Sequence, residues 1–175
     1  MSRDRQDTLV SLNEAEKEIG SILAKKRYEQ ARNNNIEQTV PVKPWDVLEY
    51  DREGIFAEMA FCKIADVYPQ LVFTIAVMSV KMGADYGDVF YKGKNIDVKS
   101  TTHEKGKLIA NVKNDNVDYY ALMVGKEGEY RLAGLMKAQI LCQEERYGLH
   151  NIFKRACFKA DQSELIGWQE FSNIA

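Results

Sequence analysis

The chain has 175 residues, 45% hydrophobic and 29% charged, with a formal net charge of −2. That size and balance suit one folded domain with a sizeable core, and they exclude a disordered chain or one that holds nucleic acid by bulk positive charge. Cys62, Cys142 and Cys157 are odd in number with no C-x-x-C pair, and the histidines are His103 and His150; a disulfide framework and a histidine-cysteine zinc site are both unexpected.

The N-terminus, MSRDRQDTLV, has no apolar core of a signal peptide, and no apolar run reaches membrane-spanning length. A soluble, cytoplasmic protein without a membrane partner is the expectation. From about Asp7 to Asn33, Leu9, Leu12, Ile19, Ile22 and Leu23 recur between charged residues and predict an amphipathic helix. Lys25, Lys26, Arg27 and Arg32 make its last turns basic, which suits the negative end of a helix dipole or contact with phosphates. Ile36 to Tyr50, with Pro41 and Pro44, reads as an extended connector that Trp45 and Leu48 anchor to the core.

A second helix is expected from about Arg52 to Tyr68, stopping before Pro69. Glu58 lies on its small and apolar face, beside Gly54, Ile55, Phe61, Cys62 and Ala65. A carboxylate buried there is costly unless it is neutralised or meets a cation, and the alternative is a boundary residue reaching solvent. Leu71 to Val80 is a continuous apolar run rich in β-branched residues, read as a buried strand although its periodicity does not exclude a helix.

The stretch from Gly83 to Thr101, GADYGDVFYKGKNIDVKST, carries the candidate chemistry. With Gly93 and Lys94 as the central residues of a type II′ turn, Tyr91 pairs with Ile96, Phe90 with Asp97 and Asp88 with Lys99. Asp88, Phe90, Asp97 and Lys99 then share a face, with the two carboxylates placed diagonally and able to hold one hard cation such as Mg²⁺ or Mn²⁺. Lys99 is placed to orient a bound water or to stabilise developing negative charge. The same residues also suit a surface hairpin held by ordinary cross-strand ion pairs.

Between Lys92 and Lys113 there are six lysines (Lys92, Lys94, Lys99, Lys105, Lys107 and Lys113) against Asp97 and Glu104. This local excess suits a nucleic-acid backbone, or a solvated sheet edge that lysines protect from pairing. Thr101 adds a hydroxyl able to touch a phosphate, or serves as a good strand former. Further strands are expected at Leu108 to Val112, Val117 to Val124, Tyr130 to Ala133 and Arg155 to Lys159, with Gly125 and Gly128 bracketing one turn. A helix is expected from Leu135 to Tyr147, ended by Gly148, and a terminal helix capped by Ser163 carries Leu165, Trp168 and Phe171.

Asp88 followed by Asp97-Val98-Lys99 resembles the signature of the PD-(D/E)XK nuclease superfamily, with Gly87 where that signature writes proline. The order of elements from about Arg52 to Lys159 is similar to the superfamily's common core. The resemblance implies an α/β (α+β) fold, in which a central mixed β-sheet is flanked by helices in a restriction-endonuclease-like core. Residues 1–50 would add an N-terminal helix and connector to a nuclease-like domain at 51–175, the whole forming one globular unit.

It further implies a Mg²⁺- or Mn²⁺-dependent deoxyribonuclease, endonucleolytic in action, that cleaves phosphodiester bonds with metal-activated water. Asp88 and Asp97 would hold the metal together with the Val98 carbonyl, Glu58 would bind a second ion or its water, and Lys99 would position the nucleophile. Lys92, Lys94, Thr101, Lys105, Lys107 and Lys113 would follow the DNA backbone. Two alternatives share the fold: a Holliday-junction resolvase acting as a homodimer, and a catalytically silent nucleic-acid or protein binding module.

Overall fold

A computed structural model of the chain describes residues 8–33, 47–67, 87–150 and 155–175. Leu71 to Val80 and Trp45 lie outside these residues. Five strands form a mixed sheet in the order β1-β6-β5-β3-β2, comprising β1 (Thr8–Ser11), β2 (Val89–Tyr91), β3 (Lys94–Thr101), β5 (Tyr119–Lys126) and β6 (Glu129–Lys137). β3 and β5 run parallel, while the other neighbours are antiparallel. A second, three-stranded sheet has the order β4-β8-β7, from β4 (Leu108–Ala110), β7 (Tyr147–Leu149) and β8 (Ala156–Ala160). The helices are α1 (Glu14–Asn33), α2 (Val47–Ala65), the short α3 (Ala138–Leu141) and α4 (Trp168–Ile174). The chain thus has the mixed α/β architecture that the order of its segments implies, and no helix among the described residues is long and apolar enough to cross a membrane.

β5 divides the core. Side chains alternate along a strand, so Tyr119, Ala121 and Met123 enter one cluster with Ile55, Phe61 and Leu23 of the helices. Tyr120, Leu122 and Val124 enter a second cluster with Leu108 of β4 and Leu141 of α3. Burial on both sides explains why this segment is nearly continuous in apolar residues. Trp168 serves the core, as expected, packing edge-on against Phe61 with ring centroids 5.9 Å apart.

Several segments depart from the sequence reading. Thr8–Ser11 is a strand paired with β6, so the first helix starts at Glu14 instead of Asp7. The start signal is a reciprocal cap: Asn13 N–H donates to Glu16 Oε2 at 2.6 Å, and Glu16 N–H donates to Asn13 Oδ1 at 2.9 Å. Leu9, assigned to the apolar stripe of that helix, is 78% exposed in β1. α2 begins at Val47, inside the expected connector, and Leu48 is exposed on it instead of anchoring it.

The largest difference covers the expected helix from Leu135 to Tyr147. β6 continues to Lys137 because Leu135 exchanges two backbone hydrogen bonds of 2.8 Å with Ile166 while its strand stays paired with β5. Gly134, at φ +139°, permits this approach: a Cβ there would lie 2.6 Å from the Ile166 carbonyl oxygen. Four helical residues then remain, and Gly148 lies in β7 instead of ending a helix. Ser163 sits in a 3₁₀ turn that Asp161 and Glu164 cap reciprocally, while Gly167 precedes the terminal helix.

The β2-β3 hairpin turns on Lys92 and Gly93, with φ of +46° and +79°, instead of Gly93 and Lys94. Tyr91 therefore pairs with Lys94 and Val89 with Ile96. Two successive positive φ values define a type I′ turn, whose preferred first residue is asparagine. Lys92→Asn is expected to raise the melting temperature by about 2–4 °C, the shift of roughly 1 kcal/mol in a chain of this size. Gly93→Val is expected to lower it, and thermal unfolding followed by circular dichroism checks both.

Candidate active site

The corrected hairpin register differs from the expected one by two residues, and a shift of two leaves every side chain on its original face. Asp97 and Lys99 point from β3 into a cleft on the side of the sheet away from α1 and α2, while Ile96 and Val98 face the helices. What changes is the partner of Asp88. Its N–H donates to the Ile96 carbonyl at 2.8 Å, so the chain enters β2 with Asp88 beside Asp97 instead of across from Lys99. Asp88 Oδ2 accepts a 2.7 Å hydrogen bond from the Val98 N–H, so a carboxylate continues the ladder where β2 no longer supplies a backbone acceptor.

Gly87 sets this entry. Its φ is +82°, and a Cβ would lie 2.8 Å from the Ile96 carbonyl oxygen. Proline is fixed near a φ of about −65° and cannot take this conformation. The glycine found where the family signature writes proline is therefore the residue that this backbone path requires.

Burial raises the Asp88 carboxyl well above its ordinary pKa; Glu58 and Asp97 push in the same direction, against Lys99 and the Val98 hydrogen bond. Asp97 is 8% exposed, and Lys99 Nζ lies 2.6 Å from its Oδ1. Burial alone would weaken the Lys99 ammonium, but Asp97 and Asp88 outweigh it and hold the pKa above the usual lysine value. The lysine is therefore charged at neutral pH and committed to the acids.

Glu58 is 7% exposed on α2, on the apolar face expected for it. The cation it meets is Arg27 of α1, whose guanidinium reaches both carboxylate oxygens at 3.1 Å. Burial would lower the Arg27 pKa, yet Glu58, Asp88 and Asp51 raise it on balance. Arg27 was read from sequence as one of a basic set at the end of a helix, and its pairing with a residue thirty-one positions away has no local signature. Asp51, one face and two turns before Glu58, was missed; its own carboxyl is raised by burial and lowered by Arg27.

The expected nucleic-acid residues meet several different partners within the chain. Lys92 Nζ donates to the Ser172 carbonyl at 2.9 Å, beside α4. Lys94 and Lys113 line a separate cavity of about 340 Å³ with Lys137, and Lys113 pairs with Asp115 at 3.0 Å. Lys107 pairs with Asp161 at 2.9 Å, Thr101 Oγ1 accepts from the His103 N–H at 3.2 Å, and Lys105 lies exposed in the loop between β3 and β4.

The Asp88-Asp97 pair suits a hard divalent cation because Asp88 bears the repulsion of its acidic neighbours, while Lys99 Nζ already stands 2.6 Å from Asp97 Oδ1. Glu58 fits a second ion less well, because Arg27 already engages both of its oxygens. Among the described residues no three histidine, cysteine, aspartate or glutamate side chains converge in a group able to hold a metal. Comparison of the chain with protein-family models, curated proteins and solved structures gave no match.

Two stability measurements follow from this geometry. The folded state holds the Asp88 proton above the ordinary aspartate value of 3.8, so it binds more protons than the unfolded chain between that value and the raised one. The Asp88 contribution to stability in metal-free buffer falls as pH rises through that window, against the opposite contributions of Glu16 and Glu164, whose carboxyls the fold lowers. Asp88→Asn removes this contribution, and its stability gain over wild type is expected to grow with pH in urea titrations. Arg27→Ala leaves Glu58 buried and uncompensated, at an expected cost of about 3 kcal/mol. Adding Glu58→Gln is expected to restore part of the loss in the same denaturant assay.

Proposed function

We propose that the chain is a divalent-cation-dependent nuclease that hydrolyses DNA phosphodiester bonds with activated water, cutting within the strand. The observation that carries this reading is the joining of Asp88, Asp97 and Lys99 where β2 meets β3, with the Asp88 carboxyl raised by burial and further by its acidic neighbours. Acids gathered in this way repel one another, and Lys99 and Arg27 offset that repulsion by pairing with Asp97 and Glu58.

In this reading Asp88 and Asp97, with the Val98 carbonyl, would hold the cation, which would supply Lewis-acid polarisation and acidify a water. Lys99, held charged by the two acids, offers its ammonium to the negative charge that develops on the phosphorus oxygens. Glu58 fixes Arg27, and a guanidinium so held provides a second positive group beside the site. Tyr120 forms part of the cleft floor, its ring centroid 5.9 Å from Lys99 Nζ, and limits the directions the ammonium can take.

A second reading, a binding module on the same fold without chemistry, is favoured by the lack of any three converging metal-ligand side chains among the described residues. Incubation with Mg²⁺ or Mn²⁺ and linear, circular, single-stranded, flapped and four-way DNA separates the two. Cleavage that falls at least about 10²-fold in Asp97→Ala and in Lys99→Ala, with unchanged circular dichroism, supports the nuclease. Wild-type rates in Asp97→Ala, or no cleavage of any substrate, would contradict it.

A further inference from the structure

Asp97 and Lys99 stand in the wall of a cleft of about 500 Å³ between the two sheets. Its opposite wall is built from the second sheet and the segment after β4: Asn111 and Val112 on one side, Tyr147 of β7 and Arg155 on the other. None of these residues belongs to the acid-lysine cluster. Tyr147 is 52% exposed although it packs against Phe158, with ring centroids 4.8 Å apart. The ring is thus supported by a second ring and presented to the cleft, where its face can stack on a flat ligand.

The dimensions limit the occupant. The volume lies within the range of about 300–1,000 Å³ typical of sites for single small molecules, too small for a double helix. A phosphate can approach Asp97 and Lys99 from this side if the strand carrying it leaves the base stack, as in enzymes that extrude a nucleotide into a pocket. The lining has the required chemistry: an aromatic face for stacking, side-chain amides that both donate and accept, and an arginine for phosphate.

We propose that this cleft seats one unpaired nucleotide, its base against Tyr147 and its phosphate toward Arg155 and Lys99. Substrates with a single-stranded segment are then preferred over continuous duplex. The inference rests on the nuclease reading for the position of the scissile phosphate, whereas seating of the base is measured without cleavage.

The test is fluorescence anisotropy in EDTA with a labelled single-stranded oligonucleotide and the same sequence as a duplex. Wild type is expected to bind the single strand more tightly. Tyr147→Ala is expected to weaken single-strand binding about tenfold with duplex binding unchanged, while Tyr147→Phe, which keeps the ring, retains the wild-type affinity. Equal losses on both ligands, or no loss in Tyr147→Ala, would overturn the proposal even if the protein cleaves DNA. Selective loss in a protein that cleaves nothing would uphold the seat and refute the reaction.

Discussion

Mutual repulsion among acids is the constraint around which this structure is organised. Asp88 lies where Glu58 from one side and Asp97 from the other both oppose its ionisation, and its burial adds to the cost. Two cations hold the arrangement together, each reaching a different part of it. Lys99 pairs with Asp97 on the cleft side, and Arg27 pairs with Glu58 in the helical layer. Removing either cation leaves charge buried without a counterion, which costs more than the pair contributes while intact. The helix that supplies Arg27 lies outside the segment from Arg52 to Lys159, yet it completes the electrostatic balance of that segment.

The rest of the fold places these charges. β5 is buried on both sides, so β3 beside it is held firmly along one edge while its other edge carries the short β2. Because β2 begins only at Val89, the Val98 N–H lies open to the Asp88 carboxylate, and Gly87 supplies the positive φ that brings the chain into position. Parallel pairing of β3 with β5 requires a crossover, and β4 within that connection helps to build the second sheet that forms the far wall of the cleft.

Much of this was legible in the residues. Alternation within Asn95 to Lys99 put Asp97 and Lys99 on one face, and that survived a wrong choice of turn because side-chain direction repeats every two residues. The apolar neighbours of Glu58 correctly implied a buried carboxylate that needs a cation. The identity of that cation was not legible, since α1 and α2 meet through tertiary packing with no local spacing rule. Nor was the strand from Leu135 to Lys137, where pairing with Ile166 overrides a helical pattern. The partners of the lysines were not legible for a related reason: they are set by tertiary neighbours such as Ser172 and Asp161, far away in sequence.

The most direct test of the account is calorimetric titration of the metal-free protein with Mg²⁺ and with Mn²⁺. A carboxylate pair kept together against its own repulsion predicts saturable binding of one ion per chain, lost in Asp97→Ala. A flat titration of the wild-type protein with both ions would mean that Lys99 and Arg27 already satisfy the acids, and that the cluster is an ion-pair network without a metal-dependent role.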